Sequence, residues 1–285
     1  EKIGKEEKSE YKIEYWKQHF ERLKKGCDLM KINIPKEKEF IVDIQKILKK
    51  SIHHGLKSGL IKLIISRGVG GRGYKFEKNM KPTIIFLSYP RPTYKKEFYM
   101  TGVNVKICQT KLYYHDRLFG LKHLNRLDSV LARSEWDDNN LFEGVFIDND
   151  ENIVEGTMTN LFFVKKNKLF TPEIKNTGIN GIMRQVVMDN AKIFFEDIYE
   201  KKIHISKLNN FDQMFITNSV IKVMPVKKIE KQKFSIKDNV KKLIENLFKS
   251  SITLIAVVRK SFTYLSMLFG NSLNHSCVFS KASPS

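Results

Sequence analysis

Apolar positions recur along this chain at two different periods, and the changes between them outline its elements. Tyr15, Trp16, Phe20 and Leu23 recur at helical intervals, which predicts a helix over residues 10–30. A second helix is predicted over 38–58. Short apolar runs at 61–66, 83–88 and 103–108 predict strands, so the first half reads as helices with an antiparallel sheet. Further along, 125–136 predicts a helix. Residues 142–147, 160–164 and 169–171 predict strands, with Asp148-Asn149-Asp150 as a turn. Helix 181–195, strands 213–217 and 223–229, and an amphipathic helix over 236–250 follow. No internal repeat stands out.

After residue 250 the texture changes. Ser and apolar residues replace the Lys/Glu mixture, and the end reads Ser-Lys-Ala-Ser-Pro-Ser. This predicts a disordered or non-native tail over 251–285. The run 252–270 is apolar enough to suggest a membrane span, but Arg259 and Lys260 sit near its middle, where charge is costly in lipid. No membrane partner is expected.

Composition adds one feature. Lys+Arg number 51 against 31 Asp+Glu, a formal net charge of +20. The cations are scattered and form no stripe with interleaved aromatics, so a nucleic-acid partner is not expected. The positive field favours small anionic ligands. Cys27, Cys108 and Cys277 are far apart and odd in number. They make neither a disulfide framework nor a thiolate metal site, which suits a reducing cytoplasm.

Gly68-Val69-Gly70-Gly71-Arg72-Gly73 fits the glycine fingerprint of dinucleotide sites. That fingerprint requires a helix directly after it, whereas Pro82 and a strand-like run follow here. A connection between two strands is expected. Arg67 and Arg72 flank it and could offer guanidinium groups to a carboxylate.

Three blocks carry chemistry. Gly120-Leu121-Lys122-His123-Leu124-Asn125-Arg126-Leu127 places an amine just before a helix. Glu155-Gly156-Thr157-Met158-Thr159-Asn160 places a carboxylate before small residues. Gly178-Ile179-Asn180-Gly181-Ile182-Met183-Arg184-Gln185 opens a helix whose N–H groups can bind an anion. An amine for an aldehyde, a carboxylate for a ring nitrogen and an anion site for a phosphate are what pyridoxal phosphate requires. Each alone has an ordinary reading: a surface lysine, a turn glutamate, a capped helix.

These blocks, with Ser66-Arg67-Gly68 and Val223-Met224-Pro225-Val226, resemble the fold-type IV pyridoxal-phosphate enzymes. That group holds the branched-chain and D-amino-acid aminotransferases, and within it the blocks are most similar to the aminodeoxychorismate lyases. The resemblance covers about residues 10–250. It implies a two-domain α+β fold, with a smaller N-terminal domain over 1–115 and a larger cofactor-binding domain over 116–250. The first N-terminal strands of the family are expected to be lacking.

The resemblance further implies roles. Lys122 would be the Schiff-base lysine and proton shuttle, and Glu155 would face the pyridine nitrogen. Arg22, the backbone of Ile182 and Met183, and the Ser219 hydroxyl would hold the phosphate. Arg67 would meet the substrate carboxylate. The implied reaction turns 4-amino-4-deoxychorismate into 4-aminobenzoate and pyruvate, in a homodimer. Branched-chain aminotransferases carry tyrosine five residues past the lysine, where this chain has Leu127. An aminotransferase of the same fold, and an inactive truncated homologue or basic binding protein, are the alternatives.

Overall fold

A computed structural model describes residues 13–53, 58–249 and 278–281. The chain divides into two compact units, one running to Arg91 and one spanning Pro92–Ser250.

In the first unit, helix α1 (Trp16–Leu29) starts later than its apolar period suggested. Tyr15 adopts a left-handed backbone at φ 52°, which a right-handed helix cannot continue through. Residues 10–12 lie outside the described residues. Helix α2 (Glu37–His53) buries Phe40, Ile44, Ile47 and Leu48, one stripe at helical spacing. Strand β1 (Gly59–Ser66) pairs antiparallel with β2 (Thr83–Pro90), in register from Gly59↔Pro90 to Ser66↔Thr83. Every second side chain of β1 (Ile61, Leu63, Ile65) is buried, and these join Leu23, Cys27, Phe40 and Phe86 in one core. The glycine-rich segment therefore links two strands, as its sequence context required.

Of the tail, only Val278–Lys281 are described. They form a short strand antiparallel to β2, from Val278↔Leu87 to Lys281↔Ile84. The edge of β2 opposite β1 carries backbone donors and acceptors that extended chain of almost any sequence can pair with.

The second unit starts with helix α3 (Lys96–Thr101) and strand β3 (Val103–Ile107). Strand β3 was expected in the antiparallel sheet of the first half. Instead it lies parallel to two strands of the second unit. Helix α4 (Leu127–Arg133) is shorter than expected. After it come β4 (Leu141–Ile147), β5 (Ile153–Gly156), β6 (Asn160–Lys165) and β7 (Lys168–Pro172). Helix α5 (Ile182–Ala191), β8 (Ile198–Lys201) and a 3-10 helix (Ile205–Asn210) follow. The unit closes with β9 (Gln213–Asn218), β10 (Lys222–Ile229), β11 (Gln232–Lys233) and helix α6 (Asp238–Lys249).

Among the described residues, nine strands share one sheet in the order β5-β4-β3-β10-β9-β6-β7-β8, with β11 beside β10. The sheet curls, bringing β5 close to β6. Its middle strands are buried on both faces. Leu161, Phe163, Met214, Ile216, Met224 and Val226 belong to one core cluster, while Phe162 and Phe215 stack at 4.9 Å between centroids. This explains why these strands read as unbroken apolar runs. Strand β8, helix α3 and the 3-10 helix gave no such signal because they are short and largely solvent-facing. Among the described residues, no helix is long and apolar enough to cross a membrane, and the run 252–270 lies outside them.

Candidate active site

The site is assembled by backbone pairing between two loops of the second unit. The Gly120 N–H donates to Gly178 O at 2.8 Å, and the Asn180 N–H donates to Gly120 O at 3.1 Å. Gly178 sits at φ +85°, and a Cβ there would come within 3.2 Å of Val154 Cγ1, so only glycine serves. Leu121 is buried beside this bridge, and Lys122 follows, half-buried, ahead of α4.

Glu155 is the last residue but one of β5, with 2% of its surface exposed. Its Oε2 accepts the Ile179 N–H at 2.8 Å, and its Oε1 lies 3.4 Å from Arg126 Nη2. Burial pushes its carboxyl above the usual carboxylate range. The Arg126 guanidinium, the Ile179 N–H and the Lys122 ammonium pull the other way without cancelling that rise. Lys122 and Glu155 are thus electrostatic neighbours.

The sequence reading gave Glu143 no role. It is fully buried in β4, and its carboxylate accepts the Thr157 N–H and hydroxyl, the Met158 N–H at 3.2 Å and the Thr159 hydroxyl at 2.9 Å. It therefore ties down the turn that follows Glu155. The available signal was a charged residue inside the apolar strand Leu141–Ile147.

Past that turn, Asn160 Nδ2 donates to Ile179 O at 2.9 Å. This bond leads to Gly181, which caps α5 from an extended conformation, with no side chain bonding the helix start. The N–H groups of a first helical turn have no partner within the helix. A methyl on Gly181 would run into the Asn160 Oδ1, so the small residue keeps the approach open. Ile182 and Met183 are buried. Arg184 points away from the helix start: Nη2 donates to Pro172 O at 3.0 Å and pairs with Glu200 at 3.0 Å.

Opposite, Asn160 pairs with Thr217 across β6 and β9. Asn218 Oδ1 then accepts the N–H groups of Val220 and Ile221, at 2.8 and 2.9 Å. Its Nδ2 donates to Met158 O at 3.1 Å. Ser219 is half-buried in the turn so formed. Lys122, Glu155, Ile182, Met183 and Ser219 therefore all lie in the second unit, on segments linked through Ile179, Asn160 and Asn218.

Arg22 and Arg67 belong to the first unit. Arg22 is half-buried on α1, and burial lowers its guanidinium to about 10, still charged near neutral pH. Arg67 follows β1. It donates to Lys31 O at 2.8 Å and Met30 O at 2.5 Å, and its guanidinium lies 3.6 Å from the Phe76 ring centroid.

The residues of the second unit fit pyridoxal phosphate on two grounds. A buried carboxylate lies beside a lysine, which suits a protonated ring nitrogen and an aldehyde. A helix start uncapped by any side chain and fronted by glycine suits a phosphate.

Comparisons agree. An aminodeoxychorismate lyase of Vibrio harveyi is 31% identical over 216 residues, covering 75% of this chain and 77% of that protein. A Methanocaldococcus jannaschii protein carrying the name branched-chain-amino-acid aminotransferase is also 31% identical, over 215 residues, with 75% and 73% covered. The crystal structure of the 4-amino-4-deoxychorismate lyase of Pseudomonas aeruginosa superposes with a TM-score of 0.73 at 30% identity, covering 82% of this chain and 85% of that one. The family model for amino-transferase class IV matches residues 8–229, and the chain belongs to that family.

Proposed function

We propose that this chain is a pyridoxal-phosphate-dependent lyase that converts 4-amino-4-deoxychorismate into 4-aminobenzoate and pyruvate. The family depends on pyridoxal phosphate. The observation that carries the reading is the buried Glu155 beside Lys122, on segments continuous with the open start of α5.

When bound, pyridoxal phosphate supplies an aldehyde that condenses with an amine and a ring that accepts the electron pair released by deprotonation. The chain's residues do the rest. Lys122 would be the amine that holds the cofactor's aldehyde and, once freed by the substrate's own amine, the base that takes the proton from the amine-bearing carbon. Glu155 would hold the ring nitrogen's proton. The N–H groups of Ile182 and Met183 and the Ser219 hydroxyl would hold the phosphate. The formal charge of +20 favours an anionic substrate.

The assay is incubation of the loaded enzyme with 4-amino-4-deoxychorismate and no keto acid. Equal amounts of 4-aminobenzoate and pyruvate are expected. Amine transfer to an added 2-oxo acid without pyruvate release would overturn the lyase in favour of an aminotransferase, the reading the Methanocaldococcus relative favours.

The working form is assigned as a cytoplasmic homodimer. Leu127, Val130 and Leu131 expose one apolar face of α4, each more than half accessible. Cys27 and Cys108 are buried free thiols, as a reducing compartment keeps them. Light scattering should give twice the 33.4 kDa chain mass. A single-chain mass in the active enzyme would contradict the dimer, and activity confined to a membrane or secreted fraction would contradict the location.

A further inference from the structure

The sequence reading left Arg126 without a role, and the structure places it against the buried carboxylate of Glu155. Arg126 Nη2 donates to Ser129 Oγ at 2.7 Å and lies 3.4 Å from Glu155 Oε1. Only 15% of its side chain is exposed, and 3% of that of Glu155. Water therefore screens the pair poorly. Ser129 sits on α4, so the helix fixes the guanidinium from one side while the carboxylate meets it from the other.

The two oxygens of Glu155 are treated differently. Oε2 takes a short bond from the Ile179 N–H, and Oε1 has a longer contact with Arg126. At 3.4 Å that contact is mainly a charge interaction and leaves Oε1 able to accept another donor. We propose that Arg126, anchored by Ser129, is a positioning residue that makes Glu155 a weaker base, so that a proton shared between Glu155 and the cofactor's ring nitrogen stays on the nitrogen. This inference rests on the reading of Glu155 given above.

Two effects oppose each other here. Burial drives Glu155 to take a proton for itself, which would leave the ring nitrogen neutral and weaken its electron-accepting power. A neighbouring cation opposes that. Among the described residues, Arg126 and Lys122 act on Glu155 directly and Arg184 interacts with it at longer range. Lys122 lies on the same loop as Arg126, but its charge changes as its amine reacts. Arg184, on α5, feels the charge of Glu155 only at a distance and is paired with Glu200 and Pro172 O. Arg126 contacts the carboxylate at 3.4 Å through a guanidinium that keeps its charge throughout.

The test compares wild type, Arg126→Met, Arg126→Lys, Ser129→Ala and Glu155→Gln, each loaded with pyridoxal phosphate carrying 15N at the ring. The ring 15N shift is read across pH 6–9, along with cofactor affinity and the thermal midpoint of the cofactor-free protein. Wild type should show a protonated ring nitrogen. Arg126→Met should move the 15N signal toward the neutral position and weaken cofactor binding about tenfold, the size of one charge-assisted hydrogen bond. Arg126→Lys should restore much of the shift, and Ser129→Ala should fall between. An Arg126→Met enzyme whose ring nitrogen titrates as in wild type overturns the inference, even if its affinity drops, because loosening alone leaves the shared proton where it was. If Arg126→Met fails to fold, Ser129→Ala decides by the same shift. A wild type that binds no cofactor, or a Glu155→Gln variant with an unchanged ring signal, overturns the reading of Glu155 and this inference with it.

Discussion

Replacing Lys122 with alanine is expected to remove covalent attachment of the cofactor and to lower kcat at least 10²–10⁴-fold, about the range supplied by one positioned proton-transfer group. The loss of the amine that condenses with the aldehyde should push the effect to the upper end. The fold should survive. Lys122 lies in a loop, and the backbone bonds that place it belong to Gly120, Gly178 and Asn180. The thermal midpoint of the cofactor-free protein should therefore stay close to wild type. Glu155 would lose one of its cations and become still harder to ionise. Activity within tenfold of wild type, measured as pyruvate release, would show that another lysine holds the cofactor.

The second large effect is expected at Glu155→Gln. The amide keeps the shape and can still accept the Ile179 N–H, but it cannot stabilise a positive ring nitrogen. A loss of about 10²–10³-fold in kcat follows, the scale of one preorganised electrostatic contact. Stability should respond in a characteristic way. Because burial raises the carboxyl of Glu155, the folded protein binds its proton more tightly than the unfolded chain does. Its contribution to stability is thus present at low pH and is lost as pH rises through the folded value. Glutamine does not titrate. In the cofactor-free proteins, the midpoint of wild type relative to Glu155→Gln should therefore fall as pH rises from 5 to 9. Any constant cost, such as Arg126 left without its counter-charge, cancels from that trend. A difference that does not vary with pH, or that rises with it, would contradict a raised carboxyl at this position.

What the sequence disclosed follows the distance over which each interaction acts. The central strands were legible because burial on both faces leaves no polar alternation: Asn160–Lys165 and Gln213–Asn218 read as apolar runs. Helix α6 was legible from Val240, Leu243, Ile244 and Leu247, a stripe at helical spacing that is buried in the fold. Strand β3 was found as a strand but assigned to the wrong sheet, since its neighbours β4 and β10 are long-range partners that an apolar run does not name. At the site, Lys122 and Glu155 stood out through their flanking residues and a family resemblance. Glu143 and Arg126 did not, because their work is done through partners: the turn at 157–159 for one, Glu155 and Ser129 for the other. A buried carboxylate with four donors from the turn across from it looks, in sequence, like any strand glutamate.

Arg67 shows the reverse. Its place beside a glycine-rich turn suggested a carboxylate ligand, yet two of its donors here serve the backbone just past α1. Local sequence marked a guanidinium without marking the backbone carbonyls that it serves.

The central claim, that Lys122 is the amine that holds the cofactor, is tested most directly by trapping. The purified chain is mixed with pyridoxal phosphate, reduced with borohydride, digested and read by peptide mass. The account requires one stoichiometric addition on the peptide containing Lys122. Absence of any addition, or its spread over the many other lysines with Lys122 unmodified, would contradict it.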